Sequence, residues 1–124
     1  MSKIENFENI AAWQKSQKVC LDIYKLFRNS KDFSFRDQIC RAAVSVNNNI
    51  AEGFERMTQK EFIAFLFIAR GSCGEVRSML YLARDLDYIT EHNFTVMQEK
   101  VTEVSKMIYG LIKYLKNNNI ITNK

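Results

Sequence analysis

The sequence contains no proline and only four glycines in 124 residues. Proline breaks helix interiors and punctuates turns, so its absence, with so little glycine, favours long helices joined by short polar links. Histidine occurs once, as His92. A Ser/His/Asp or Cys/His centre would have to form around that residue, and the Glu-x-x-His pairs of a di-iron bundle are missing. His92 is expected on the wet side of a helix start, an ordinary place for a surface histidine. The three cysteines, Cys20, Cys40 and Cys73, are widely spaced, and no pair has metal-ligand spacing. Each has apolar neighbours at helical spacing and reads as a small buried hydrophobe, reduced in a cytoplasmic protein. Long apolar runs are also missing. The longest, Phe62 to Ala69, is far short of the roughly 20 residues that cross a bilayer. Met1 to Asn9 is polar and mixed in charge, unlike a signal peptide. No catalytic residue, metal site or cofactor is expected.

What is present is helical periodicity. Hydrophobic residues make up 47% and charged residues 26% of a chain of ordinary single-domain length, read as one domain over 1–124. Apolar residues recurring every three or four positions predict four helices, over about 9–29, 34–55, 59–86 and 91–117. The first carries Trp13, Cys20, Ile23, Tyr24 and Phe27, broadened by Val19 and Leu26, with Lys15, Lys18, Asp22, Lys25 and Asn29 on a wet face. The second carries Ile39, Ala43, Val46, Ile50 and Phe54 after Ser34, an expected N-cap. Thr58-Gln59-Lys60-Glu61 has the form of a capping box ahead of the third helix. Thr90 is the expected N-cap of the fourth, the asparagines from Asn117 end it, and Ile120 to Lys124 form a frayed tail. Four amphipathic helices with short links bury their stripes best as an antiparallel up-and-down four-helix bundle, an all-α fold.

Two surface patterns stand apart from the core. Gln38, Arg41, Ser45, Asn49 and Glu52 form a polar stripe on the second helix. An antiparallel register brings Ser72 and Glu75 of the third helix within reach of it. The expected result is a structural network, with an Arg41–Glu75 pair, that fixes register between helices or between subunits. Gly71 and Gly74 would let the two backbones approach. The other pattern is basic. Arg70, Arg77 and Arg84 repeat every seven residues, with Tyr81 and Tyr88 placed on the same side, and Lys15, Lys18 and Lys25 add a stripe on the first helix. Such a face can track the phosphates of RNA or DNA and stack on bases. It is equally the pattern of a solvated face with local ion pairs, or of a subunit interface. The net charge of +4 permits a polyanionic partner without requiring one.

The segment from Gln38 to Gly53 resembles a known signature. Gln38, Ile39, Arg41, Ala42 and Ser45, followed by Asn49-Ile50-Ala51-Glu52-Gly53, and then Gly71, Ser72 and Glu75 on the next helix, resemble the bacterial proteins encoded within intervening sequences of 23S ribosomal RNA genes. Trp13 stands where that family carries an aromatic residue. Val46 replaces a common isoleucine and Cys73 a common leucine. The resemblance implies a four-helix bundle, commonly a ring-shaped homopentamer, with no settled biochemistry. A related branch, the accessory variability proteins of diversity-generating retroelements, works with a reverse transcriptase and nucleic acid. The basic face and the resemblance together give the leading expectation: a non-enzymatic, self-assembling bundle able to bind RNA or other nucleic acid through basic surface residues. The alternative is a protein-interaction scaffold without nucleic acid.

Overall fold

The computed structural model describes residues 4–118. It contains a 3-10 turn, Phe7–Asn9, followed by four helices: α1 (Ala11–Phe27), α2 (Phe33–Phe54), α3 (Gln59–Asp85) and α4 (Glu91–Asn117). Each helix packs on its sequence neighbours, and α1 closes the square against α4, the thinnest of the four seams. Cross-links run antiparallel at every seam. Gln17 accepts from Asn47 and Phe27 meets Phe35 between α1 and α2, while Ser45 meets Ser72 between α2 and α3. Arg77 pairs with Gln98 between α3 and α4, and Lys15 with Glu103 between α1 and α4. The result is an up-and-down bundle.

The apolar stripes supply the core. Ile23, Ile39, Ile50, Phe62, Leu66, Leu80, Ile108 and Ile112 are fully buried, each worth roughly 1.5–3 kcal/mol of transfer free energy. Tyr24, expected in this stripe, is instead half-exposed, because it lies about 100° around α1 from Ile23, off the face formed by Ala12, Ser16, Val19, Cys20, Ile23 and Phe27. The three thiols are buried and unpaired. Burial pushes the Cys73 thiol up to about 12 and raises Cys20 and Cys40 as well, so all three stay protonated.

The helix ends follow local chemistry. Thr58 and Glu61 form the capping box in full, with the Glu61 amide donating to Thr58 Oγ1 at 3.1 Å and the Thr58 amide to Glu61 Oε2 at 3.3 Å. Thr90 caps α4 by accepting from the Asn93 amide at 3.0 Å. At the start of α2 the cap is Asp32, not Ser34. Asp32 Oδ1 accepts from the Phe35 amide at 3.1 Å while Tyr88 Oη donates to Oδ2 at 2.7 Å. These bonds hold the Asp32 carboxyl below its usual range. The tertiary bond to Tyr88 decides between two cap-competent residues. The first helix begins two residues later than expected because Ile10 takes an extended conformation and is buried. The turn after α3 is a Schellman motif: the Tyr88 amide donates to the Ala83 carbonyl at 2.8 Å and the Asp87 amide to the Arg84 carbonyl at 3.0 Å. Asp87 occupies its left-handed position at φ 61°. Helix α4 ends at Asn117, with Asn118 extended. The expected frayed tail, 120–124, lies outside the described residues.

The closest backbone approach is at the α2–α3 turn. A Cβ on Gly53 would lie 2.5 Å from Phe65 Cβ and 3.3 Å from the Phe62 carbonyl oxygen. Phe54 and Phe62 meet edge to face over the same turn, 5.9 Å between centroids. Gly71 and Gly74 play no such part. A Cβ at either would meet nothing within 4 Å, so the expectation that they bring α2 and α3 together is corrected.

Candidate functional site

The polar network forms at the α2–α3 seam with fewer members than expected. Ser45 and Ser72 share a hydrogen bond of 2.9 Å between their hydroxyls, and Asn49 Nδ2 donates to Ser45 Oγ at 2.9 Å and to the Ser45 carbonyl at 2.8 Å. Gln38 Nε2 reaches Glu75 Oε2 at 3.5 Å. The Arg41–Glu75 pair does not form. Arg41 and Glu52 lie a few tens of degrees further around α2 from the Ser45–Asn49 edge that meets α3, and both are exposed. The network is a local tie at one seam, worth about 1 kcal/mol per bond. Periodicity missed a second tie: Asn47 is buried and donates to Gln17 of α1. Its position two residues from Asn49 was the available signal, since that turns it toward α1 and not α3.

The basic row on α3 lies along the α3–α4 seam. The Arg70 guanidinium sits 4.5 Å from the Tyr109 ring centroid, and that of Arg84 sits 4.5 Å from Phe94 and 5.2 Å from Tyr81. Arg77 Nε donates to Gln98 Oε1 at 3.2 Å, and Arg84 Nε to Asp85 Oδ1 at 3.1 Å. The ridge is continued by Lys113 over Tyr109 and Lys116 over Phe67. Stacked guanidiniums keep N–H edges for an oxyanion. Tyr88 is not part of this row. The chain reverses after Asp85, and Tyr88 instead meets Phe35 edge to face at the α1–α2 end. On α1, Lys15 pairs with Glu103 at 3.1 Å, while Lys18 and Lys25 are exposed.

His92 is exposed in the first turn of α4. Among the described residues, no group of three or more His, Cys, Asp or Glu is placed to hold a metal ion. None of the helices among the described residues is long and apolar enough to cross a membrane.

Residues 8–110 match the family described as the 23S rRNA-intervening sequence protein. The chain belongs to that family. The chain is also similar to a crystal structure from Bacteroides thetaiotaomicron, described as a protein of unknown function from the S23 ribosomal protein family. It is 28% identical, with a TM-score of 0.78 over 83% of this chain and 99% of that one. No curated protein matches the chain. The description of the 23S rRNA-intervening sequence family names no reaction, and that of its Bacteroides relative gives the function as unknown.

Proposed function

We propose that this chain acts without catalysis, as a self-associating cytoplasmic bundle whose assembled basic surface binds RNA or other nucleic acid. The observation that carries self-association is an outward stripe on α3. Ala64, Ile68, Gly71, Glu75, Ser78 and Leu82 follow one another at steps of four and three, and all are exposed. Ile68 is 52% and Leu82 48% exposed, and Leu86 extends the stripe at 47%. That spacing is the seam of a helix pair, yet α2 and α4 occupy the flanks of α3 and leave it uncovered. Two glycines inside one helix cost about 1 kcal/mol each relative to alanine. Gly71 and Gly74 face open space, so only a surface from outside the chain gains by their small size. The family resemblance supports a second copy as that surface, in a homopentameric ring. Multiple copies of a weak basic face then add by avidity.

The scaffold alternative has one observation in its favour: Arg77 and Arg84 commit their Nε donors to Gln98 and Asp85 within the chain. One pair of measurements tests both halves of the reading. Sedimentation of the wild type is expected to show an oligomer that Ile68→Lys with Leu82→Lys dissociates, while helical content is unchanged because both side chains are exposed. Affinity for a structured RNA is expected to fall steeply with salt and to weaken when Arg70, Arg77 and Arg84 become glutamine. A monomeric wild type overturns the assembly. Negligible binding at low salt leaves the scaffold.

A further inference from the structure

The cationic groups most available to a ligand lie away from the α3 row, where α1 and α2 meet. Tyr24 of α1, Arg28 at its C-cap, and Arg36, Asp37 and Arg41 of α2 surround an open concavity of about 640 Å³. Cys40 and Val44 floor it. Its charged lining is three arginines against one carboxylate. Asp37 is committed to Arg36, accepting from Nε and Nη2 at 3.3 Å each. The Arg36 guanidinium is further held 4.8 Å over the Phe33 ring, so its orientation is set before any ligand arrives. Arg28 and Arg41 are exposed and make no side-chain hydrogen bond or ion pair with any described residue. In the α3 row the three arginines find a carboxylate, an amide or a ring. Here two guanidiniums converge on a hollow and find none.

We propose that this concavity binds a nucleoside phosphate, with Arg28 and Arg41 holding the phosphate oxygens, Arg36 adding charge from a fixed position, and the base lying on Tyr24. Arginine presents a planar fork of donors that matches phosphate oxygens in pairs. Tyr24 is 49% exposed at the rim, a ring of the kind on which any base can stack. A carboxylate-bearing peptide would use the arginines but would leave the open ring unexplained. The site is independent of the assembly proposed above. It lies at the seam of α1 and α2, whereas the self-association stripe is on the outward side of α3, whose backbone does not approach that of α1.

Two probes separate the sources of the nucleotide: uridine 5′-monophosphate and a short fluorescein-labelled oligouridylate, each titrated into the full chain at low and moderate salt. Binding of both, with mutual competition, makes the ligand a free nucleotide or a strand residue alike, and binding of the oligomer alone makes it a strand. Both outcomes support the site, provided that Arg28→Gln with Arg41→Gln weakens affinity tenfold or more. A loss of this size is about 1.4 kcal/mol, close to the lower end of what one charge-assisted hydrogen bond contributes. Tyr24→Leu should cost roughly fivefold through lost stacking. Lys60→Gln with Lys106→Gln removes the same charge from exposed positions on α3 and α4 and is expected to cost less than threefold. The arginine variants should keep the wild-type melting temperature, since neither side chain has a partner to lose. The proposal is overturned if neither probe binds at low salt, or if the lysine variant loses as much affinity as the arginine variant. Sedimentation of the same samples reads the assembly separately, so either idea can fail alone.

Discussion

Gly53 and Gly71 belong to the two halves of one helical hairpin, and their surroundings are opposite. At Gly53 a methyl group would lie 2.5 Å from Phe65 Cβ, and at Gly71 it would meet nothing within 4 Å. Glycine inside a helix always costs backbone entropy. At Gly53 the chain recovers that cost itself, by letting the end of α2 settle onto Phe62 and Phe65. At Gly71 nothing within the chain recovers it. A residue that is costly and unused in the isolated fold marks where the fold is unfinished, and that difference directs attention to the outer face of α3.

Substitutions at three positions would break or sharpen this contrast. The largest effect is expected from Gly53→Ala. Overpacking against a helix backbone costs about 1–3 kcal/mol, which for a chain of this size lowers the melting temperature by about 5–12 °C, read by circular dichroism. A melting temperature equal to wild type would mean that α2 and α3 can separate freely, and the contrast would collapse. Gly71→Ala should do the reverse in dilute solution, stabilising the monomer by about 0.5–1 kcal/mol. At higher concentration the same change should weaken association, seen as a rise in the dimer or oligomer dissociation constant. The smallest effect is expected at Asp87, the one described non-glycine residue with positive φ. Asp87→Gly relieves the left-handed strain at the end of α3 and should raise stability by roughly 0.5 kcal/mol in a denaturant melt. It touches neither glycine environment, so any change in assembly from it would point to a coupling absent from this picture.

The four helices were legible because their signals are local and repeated. The Thr58–Glu61 box, the Thr90 cap and the inward stripes of α2 and α4 depend on residues within a turn or two of each other. What failed depends on which side of a helix has a neighbour. Gly71 and Gly74 read as inward because glycine in a helix usually serves packing within the fold, and periodicity alone does not say which face is left bare. Arg41 read as a seam residue because a stripe spaced by three and four is wide enough to span both the seam and the outside. Tyr88 shares a heptad position with Tyr81, but the helix stops at Asp85 and the Schellman turn carries Tyr88 to the opposite end of the contact. The concavity of Arg28, Arg36 and Arg41 draws on two helices and the turn between them, and no spacing within one helix announces it.

The seam between α1 and α4 closes the square with the thinnest packing of the four, and two ion pairs lie along it, Lys15–Glu103 at 3.1 Å and Lys100–Asp22 at 2.9 Å. Partly exposed ion pairs contribute little and are screened by salt. The hairpin of α2 and α3 with α4 against it therefore forms the durable part of the molecule, and α1 is the segment that swings away first when the native state breathes. Such an opening would uncover Cys20 and Cys40 along the α1–α2 seam, and it would unroof Cys73 as well, which shares a small central cavity with Ser16 and Val19 of α1. Access of a labelling reagent to all three thiols is thus governed by how readily α1 parts from the rest of the bundle.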